Sequence, residues 1–177
     1  MKKLLMLAGF NFIIIVGLFA QTQKSNWLVG GSALFNSQEV EGFNTTTFLV
    51  NPGAGYFIMD DLAIGANIQF SSIKEEGYDA FTTLAFGPFV RYYFVNLGPK
   101  TKLFGNGSFG FGNVKYGDSE SFTTWELSAG PAIFLNKHVA LEIALGYSSQ
   151  KFQDTDATNA FGFRVGFQIH LGGGKSQ

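Results

Sequence analysis

The 177-residue chain contains no cysteine, so it has no disulfide, no thiolate metal ligand, no cysteine nucleophile and no lipid-modified amino-terminal cysteine. Proline is scarce at four residues, and a formal net charge of −1 leaves no basic surface with which to bind nucleic acid. Glycine is abundant instead, at 23 residues, and aromatic residues make up 16% of the chain. This balance is typical of a β protein with many bends, whereas disorder needs the opposite composition. We predict one folded domain with no cofactor and no metal site, and weak capture of divalent cations by acidic residues in the outer loops stays open as an alternative.

Long apolar runs are also scarce, and the amino terminus holds the single run that resembles a targeting segment. Two lysines precede an apolar stretch over residues 4–19, and the small residue Ala20 offers a cleavage point. This order predicts a secretory signal peptide over residues 1–20, which leaves residues 21–177 as one domain. An uncleaved membrane anchor is the alternative, but the run is short for a spanning helix and contains the polar residue Asn11.

The last strand-like segment, residues 161–171, alternates strictly between apolar side chains and polar or small ones. Its apolar face contains Phe161, Phe163, Val165, Phe167, Ile169 and Leu171. Its other face contains Gly162, Arg164, Gly166, Gln168 and His170. A period of two indicates a strand, and 11 residues are about the length of a strand that crosses a bilayer when tilted. An apolar face this uniform indicates lipid outside the sheet and a polar interior behind it.

Eight strand candidates follow the predicted signal peptide, each bounded by turn residues. They cover Asn26–Asn36, Thr45–Ile58, Leu62–Ile73, Ala80–Val95, Lys102–Tyr116, Ser121–Leu135, His138–Phe152 and Ala160–Leu171. Short connections alternate with longer polar ones over residues 37–44, 74–79, 117–120 and 153–159. Transmembrane barrels have short periplasmic turns and longer outer loops. The pattern therefore predicts an all-β fold, an eight-stranded antiparallel up-and-down transmembrane β-barrel, with both termini in the periplasm.

Three of the prolines, Pro52, Pro88 and Pro131, fall inside predicted strands. Proline within a paired strand forfeits a ladder hydrogen bond. Bulges or bends are therefore expected at these positions.

The alternation assigns no charged residue to the outward face, whereas the inward face holds four charges near mid-strand: Arg91, Glu126, Glu142 and Arg164. The interior of an eight-stranded barrel is filled by side chains, so these four groups are expected to pair. An unpaired charge there would be very costly, while a bidentate arginine–glutamate pair satisfies its members. We predict a charge network that plugs the lumen. A proton or ion path and a catalytic carboxylate pair are the alternatives.

Three segments carry a resemblance to a known family: the signal-like Lys2-Lys3 to Phe19-Ala20-Gln21, the run from Gly55 to Gly65, and the terminal pattern of Arg164, Gly166, Ile169 and Leu171. The chain resembles the small outer-membrane β-barrels that include the OmpA transmembrane domain, OmpX and OmpW-like proteins. It especially resembles the short porin-family barrels of Bacteroidetes-type bacteria. The resemblance implies a Gram-negative outer membrane. It also implies that the terminal pattern is an assembly signal for the barrel-insertion machinery, although this chain ends the pattern in Leu171 instead of an aromatic residue.

The resemblance includes no catalytic or binding motif, so it indicates the fold and the cellular location more than the activity. We expect a monomeric, non-enzymatic barrel with a structural, adhesion or envelope-integrity role, in contact with outer-membrane lipid and lipopolysaccharide. A narrow channel for small hydrophobic solutes is one alternative, which the polar interior disfavours. A lipid A-modifying enzyme is another, but it needs a histidine base at the outer rim. His138 and His170, the two histidines of the chain, both lie at the predicted periplasmic end.

Overall fold

The computed structural model describes residues 22–40, 43–153 and 155–172, so the predicted signal peptide lies outside the described residues. Eight β-strands make up almost all of this part. They are β1 (Trp27–Val40), β2 (Phe43–Met59), β3 (Leu62–Glu75), β4 (Phe81–Gly98), β5 (Thr101–Tyr116), β6 (Asp118–Phe134), β7 (Val139–Phe152) and β8 (Thr158–Leu171). No helix within these ranges is long and apolar enough to cross a membrane.

The strands form one closed antiparallel barrel in chain order, and β1 pairs with β8 to close it. This confirms the predicted fold class. We call the end that carries Trp27 and Leu171 the proximal end, and the opposite end the distal end. Because the number of strands is even, β1 begins and β8 ends at the same end of the barrel. Closure of the barrel pairs Trp27 with Leu171 there.

Side-chain exposure follows the predicted period of two. In β4, Leu84, Phe86, Pro88, Val90 and Tyr92 point outward and are exposed, whereas the residues that alternate with them are buried. Apolar residues dominate the outward face of every strand, so lipid must cover the barrel wall. Two aromatic pairs mark the ends of the apolar band. Trp27 packs against Tyr56 at the proximal end, with ring centroids 5.2 Å apart, and Trp125 packs against Tyr147 toward the distal end, at 5.6 Å.

The distal connections are shorter than the sequence predicted. The segment 37–44, expected to be a loop, is mostly strand, because β1 and β2 remain paired from Trp27↔Tyr56 up to Val40↔Phe43. Likewise, Gly117 alone separates β5 from β6, since Tyr116 pairs with Asp118. The polar residues of these segments belong to strand ends above the apolar band, where water can solvate them. Polarity therefore marks the depth at which the wall leaves the lipid and does not mark the end of the strand.

Of the bulges or bends expected at the prolines, no bulge is present, and a gap in strand pairing occurs instead. Pro52, Pro88 and Pro131 each pair with the preceding strand and lack a ladder pair with the following one. The register is unchanged across each gap, because proline removes a donor without adding a residue. Register shifts occur instead near the proximal turns, at Phe57/Met59, Tyr93/Val95 and Asn96/Gly98.

One seam of the barrel differs from the other seven. β1 and β8 pair over five residues each, from Trp27↔Leu171 to Gly31↔Phe167. Above this level, no ladder pair between the described residues joins the two strands, although β1 stays paired with β2 along its full length. The barrel is therefore closed at its proximal end and parted between β1 and β8 toward its distal end.

Candidate functional site: the barrel lumen

The lumen contains a buried ion pair that joins opposite walls. The Nη1 atom of Arg91 on β4 lies 3.0 Å from both carboxylate oxygens of Glu142 on β7. Their side chains are 8% and 6% exposed. Arg91 Nε also donates to Asn106 Oδ1 at 3.3 Å, and the guanidinium carbon lies 4.6 Å from the ring centroid of Phe104. Hydrogen bonds and an aromatic face thus offset part of the cost of removing the two charges from water.

A second ion pair in the lumen joins β8 to β6. Arg164 on β8 donates from Nη2 to Glu126 Oε1 at 2.7 Å and from Nη1 to Glu126 Oε2 at 3.2 Å, which is a two-pronged geometry. These side chains are 35% and 26% exposed, so this pair is far more solvated than the first. Solvation lowers the energy that the pair contributes.

The four predicted charges thus share one lumen and form two pairs, Arg91 with Glu142 and Arg164 with Glu126. All four line a single cavity of about 70 Å³. This volume accommodates a few water molecules, and it is well below the roughly 300–1,000 Å³ of typical small-molecule sites. The geometry is suited to filling the lumen with mutually satisfied polar groups.

An aromatic layer lies on the proximal side of the Arg91–Glu142 pair. It consists of five almost fully buried rings from five strands: Phe57, Tyr93, Phe104, Phe134 and His170. Their contacting centroids are 5.2–6.1 Å apart, within the range of favourable aromatic packing. The Tyr93 hydroxyl links the layer to the ion pair, because it donates to Glu142 Oε1 at 3.4 Å. It also lies 3.4 Å from His170 Nε2.

Below the aromatic layer, three polar residues close the proximal mouth. Lys102 Nζ lies 2.6 Å from Asp61 Oδ1 and donates to Thr22 Oγ1 at 2.8 Å. The Thr22 hydroxyl in turn donates to Asp61. Asp61 also donates its backbone N–H to the Thr22 carbonyl at 2.7 Å, so the turn between β2 and β3 is tied to the segment that precedes β1. Thr22 is 2% exposed as a result.

Sequence reasoning missed the aromatic layer and the Lys102 group. The signal for Lys102 was present, because it has the same parity in β5 as the inward residues Phe104 and Asn106. Lys102 is nevertheless absent from the predicted inward charges. The layer was harder to find, since Tyr93 and His170 look like rim residues when each strand is read alone.

The two histidines lie where the sequence placed them. His170 is inside the proximal end, and His138 lies in the turn between β6 and β7, with its Nδ1 3.1 Å from the His170 carbonyl oxygen. Neither reaches the distal rim.

The residues of the predicted assembly signal fall on both faces of β8. Ile169 and Leu171 point outward into the apolar band, and Arg164 is in the lumen pair. Gly166 lies close to β1, where an added Cβ atom would be 3.0 Å from the Gly31 carbonyl oxygen. Recognition of this pattern by the insertion machinery stays a prediction.

This architecture has known relatives. The model of the family described as "outer membrane protein beta-barrel domain" matches residues 7–168. The chain belongs to this family. It is an integral β-barrel protein of the bacterial outer membrane. Among curated proteins, none matches the chain.

Several solved structures share the fold. The outer membrane protein OprG from Pseudomonas aeruginosa is 10% identical with a TM-score of 0.51, over 86% of this chain and 99% of that one. The N-terminal β-barrel domain of Pseudomonas aeruginosa OprF is 12% identical with a TM-score of 0.52, over 84% and 98%. Neisserial surface protein A is 14% identical with a TM-score of 0.54, over 83% and 96%. At these identities the likeness concerns the fold alone, and it confirms the resemblance to small outer-membrane barrels.

Proposed function

We propose that this protein is a non-enzymatic, non-conducting barrel that contributes structurally to the integrity of the outer membrane. The observation that carries the proposal is the stacking of filled layers along the lumen. The Thr22–Asp61–Lys102 group, the aromatic layer and the Arg91–Glu142 pair follow one another from the proximal end. A membrane-spanning wall with a filled interior serves as a structural unit, because its stability does not depend on a bound solute.

The filled layers argue against a channel. An ion that entered from the distal end would have to pass the Arg91–Glu142 pair, whose members are already satisfied by each other. It would then meet rings that are nearly inaccessible to water, where an ion loses its hydration without gaining ligands. A hydrophobic solute could lie against the aromatic layer without losing hydration. To reach that layer from the distal end, it would first have to pass the charged Arg91–Glu142 pair.

Catalysis is also disfavoured. The carboxylates of Glu126 and Glu142 are held by arginines, and both histidines are at the proximal end, away from substrates at the outer rim. An adhesive role would depend on the distal strand ends. The contacts inside the lumen do not bear on that role, so they do not favour it.

A deletion strain of the native host tests the structural role. Loss of the barrel is expected to increase entry of detergents and of large antibiotics that an intact outer membrane excludes. Expression of the wild-type chain is expected to restore the barrier. The double variant Ile68→Arg with Leu127→Arg, which places charges on the lipid face, serves as the matched control and is expected not to restore it. An unchanged barrier together with slower uptake of a small solute would contradict the proposal and favour a channel.

A further inference from the structure

The outward face of β4, β5, β6 and β7 carries two charged side chains among the residues that the structure describes, and both are lysines at the distal end. Lys115 on β5 and Lys151 on β7 have the same parity as the outward residues Phe111 and Tyr147. Both lysines are exposed, and within residues 22–40, 43–153 and 155–172 neither of them forms an ion pair. The charge-free outward face that the sequence predicted therefore ends at this level.

The acidic residues of the neighbouring strand ends have the opposite parity. Asp118 and Glu120 on β6 alternate with the outward residues Ser119 and Ser121. Glu120 is paired with Val114, which belongs to the apolar cluster on the inner face. On this side of the barrel, positive charge therefore points toward the membrane, and negative charge points toward the mouth of the lumen.

The two lysines lie at nearly the same height along the barrel. Lys115 pairs with Ser119 and Lys151 pairs with Thr123, so the two lysines are two strands apart with an offset of four residues along β6, or about 16 Å. Because barrel strands tilt by about 35–45°, this offset and the step across the strands nearly cancel in height. Lys151 is four residues beyond Tyr147 of the distal aromatic pair, which is about 10 Å in height. Lysines just beyond an aromatic girdle lie among lipid headgroups.

A cavity of about 570 Å³ lies beside Lys151 on this wall, and most of its lining residues have outward parity. Its proximal side is apolar, with the rings of Phe86 and Phe111 63% and 50% exposed and their centroids 6.5 Å apart. Its distal side is polar, and there the Ser121 hydroxyl donates to Asn113 Oδ1 at 2.8 Å. With this oxygen engaged, Asn113 can still donate from its amide nitrogen. The cavity thus has the polarity of a lipid, with an apolar part toward the bilayer and hydrogen-bonding groups toward the headgroups.

The charge and spacing of this surface favour one lipid of the outer leaflet. Both termini are periplasmic, so the distal end of the barrel faces the outer leaflet of the membrane. A phospholipid headgroup with a single phosphate can engage one of the two lysines. A disaccharide headgroup with a phosphate at each end can engage both, because lysine side chains extend along the wall toward the headgroups and ammonium groups form strong hydrogen bonds to phosphate.

We propose that the outer wall of β4–β7 binds the lipid A part of lipopolysaccharide. Lys115 holds one phosphate and Lys151 holds the other. Asn113 and Ser121 contact the sugars between them, and an acyl chain lies against the ring of Phe111. The site is independent of the proposed structural role, because its side chains point away from the filled lumen. Either proposal can fail without the other.

Native mass spectrometry of the refolded protein in a non-ionic detergent measures the binding. The probes are lipid A with two phosphates, lipid A with one phosphate, and phosphatidylglycerol, each dispersed in the same detergent. Lys115→Gln with Lys151→Gln should weaken binding of the bis-phosphorylated lipid A by about 10- to 30-fold. Lys115→Arg with Lys151→Arg should retain it, since the charges remain. Lys100→Gln with Lys137→Gln removes the same charge from exposed positions in the proximal turns, so this matched control should bind like the wild-type protein.

Heat-modifiable migration on gels checks that each variant has folded. In the supporting outcome, the wild-type protein binds the bis-phosphorylated lipid A more tightly than the other two probes, and the distal double variant loses this preference. Equal binding by the folded distal variant and the wild-type protein would overturn the proposal. Equal affinity of the wild-type protein for phosphatidylglycerol would overturn it as well, because the wall would then attract any anionic lipid. A wild-type protein that binds none of the probes would also overturn it.

Discussion

Arg91 reaches across the lumen to Glu142, and a single nitrogen, Nη1, lies 3.0 Å from each of the two carboxylate oxygens. β4 and β7 are not neighbours in the barrel, so this pair ties opposite walls together. The contact with Tyr93 extends the tie to the aromatic layer. The centre of the barrel is thus held by polar contacts as well as by its backbone ladders.

The first prediction concerns that pair. Glu142→Gln leaves Arg91 as a buried charge without its counter-ion, so the free energy of unfolding should fall by about 3–5 kcal/mol. Arg91→Met should cost a similar amount, and the double variant should cost clearly less than the sum. A double-mutant cycle in a lipid-refolding titration measures the coupling. Additive single costs would contradict the pairing.

The second prediction concerns Arg164 and Glu126. Because this pair is partly solvated, its coupling in the same cycle should be about 1 kcal/mol or less. The cross pairings, Arg91 with Glu126 and Arg164 with Glu142, should show coupling near zero. A cross coupling as large as that of Arg91 with Glu142 would mean that the four charges act as one network.

The third prediction concerns the lipid face. Replacing Ile68, Leu84 or Leu127 by arginine should lower the free energy of unfolding by about 2–4 kcal/mol near the middle of the bilayer. Asn67→Ser and Gln69→Ser, on the lumen face of the same wall, should cost much less. Lipid-refolding titrations of the two sets give the comparison. Equal costs would contradict the assignment of the outward face.

The fourth prediction concerns close approaches of the backbone. A Cβ atom on Gly130 would lie 1.8 Å from the Ile143 carbonyl oxygen, and one on Gly87 would lie 1.9 Å from that of Phe109. Gly130→Ala and Gly87→Ala should each cost about 1–3 kcal/mol, because the wall must move to fit the methyl group. Gly162→Ala is the matched control, since its surroundings are open, and it should change stability by less than about 0.5 kcal/mol. Thermal shifts of the folded band on gels rank the three variants.

Most of the wall could be predicted from the sequence because its signal is local. Alternation with a period of two needs only neighbouring residues, so it placed all eight strands and the outward residues of β4 and β8 correctly. Of the bulges or bends expected at Pro52, Pro88 and Pro131, no bulge occurs, because a missing donor opens a ladder without shifting its register. The polar residues at the ends of β1 and β2 were taken as loops because polarity reports water and not strand pairing.

The lumen could be predicted only in part. Parity puts Arg91, Glu126, Glu142 and Arg164 on one inner face, but the stagger between strands decides which of them meet. Stagger depends on the register of the whole barrel, which no single strand reveals. The parting of β1 from β8 toward the distal end depends on the curvature of the sheet, so the strict alternation of β8 gives no indication of it.

Single-channel recording in planar lipid bilayers tests the filled lumen most directly. Detergent-refolded wild-type protein should give no ionic current steps, and neither should the lipid-facing control Phe86→Ala with Phe111→Ala. The double variant Phe57→Ala with Phe104→Ala removes two rings from the aromatic layer and should produce measurable steps. Steady current through the wild-type protein would contradict the account, because the lumen charges would then line a solvated pore.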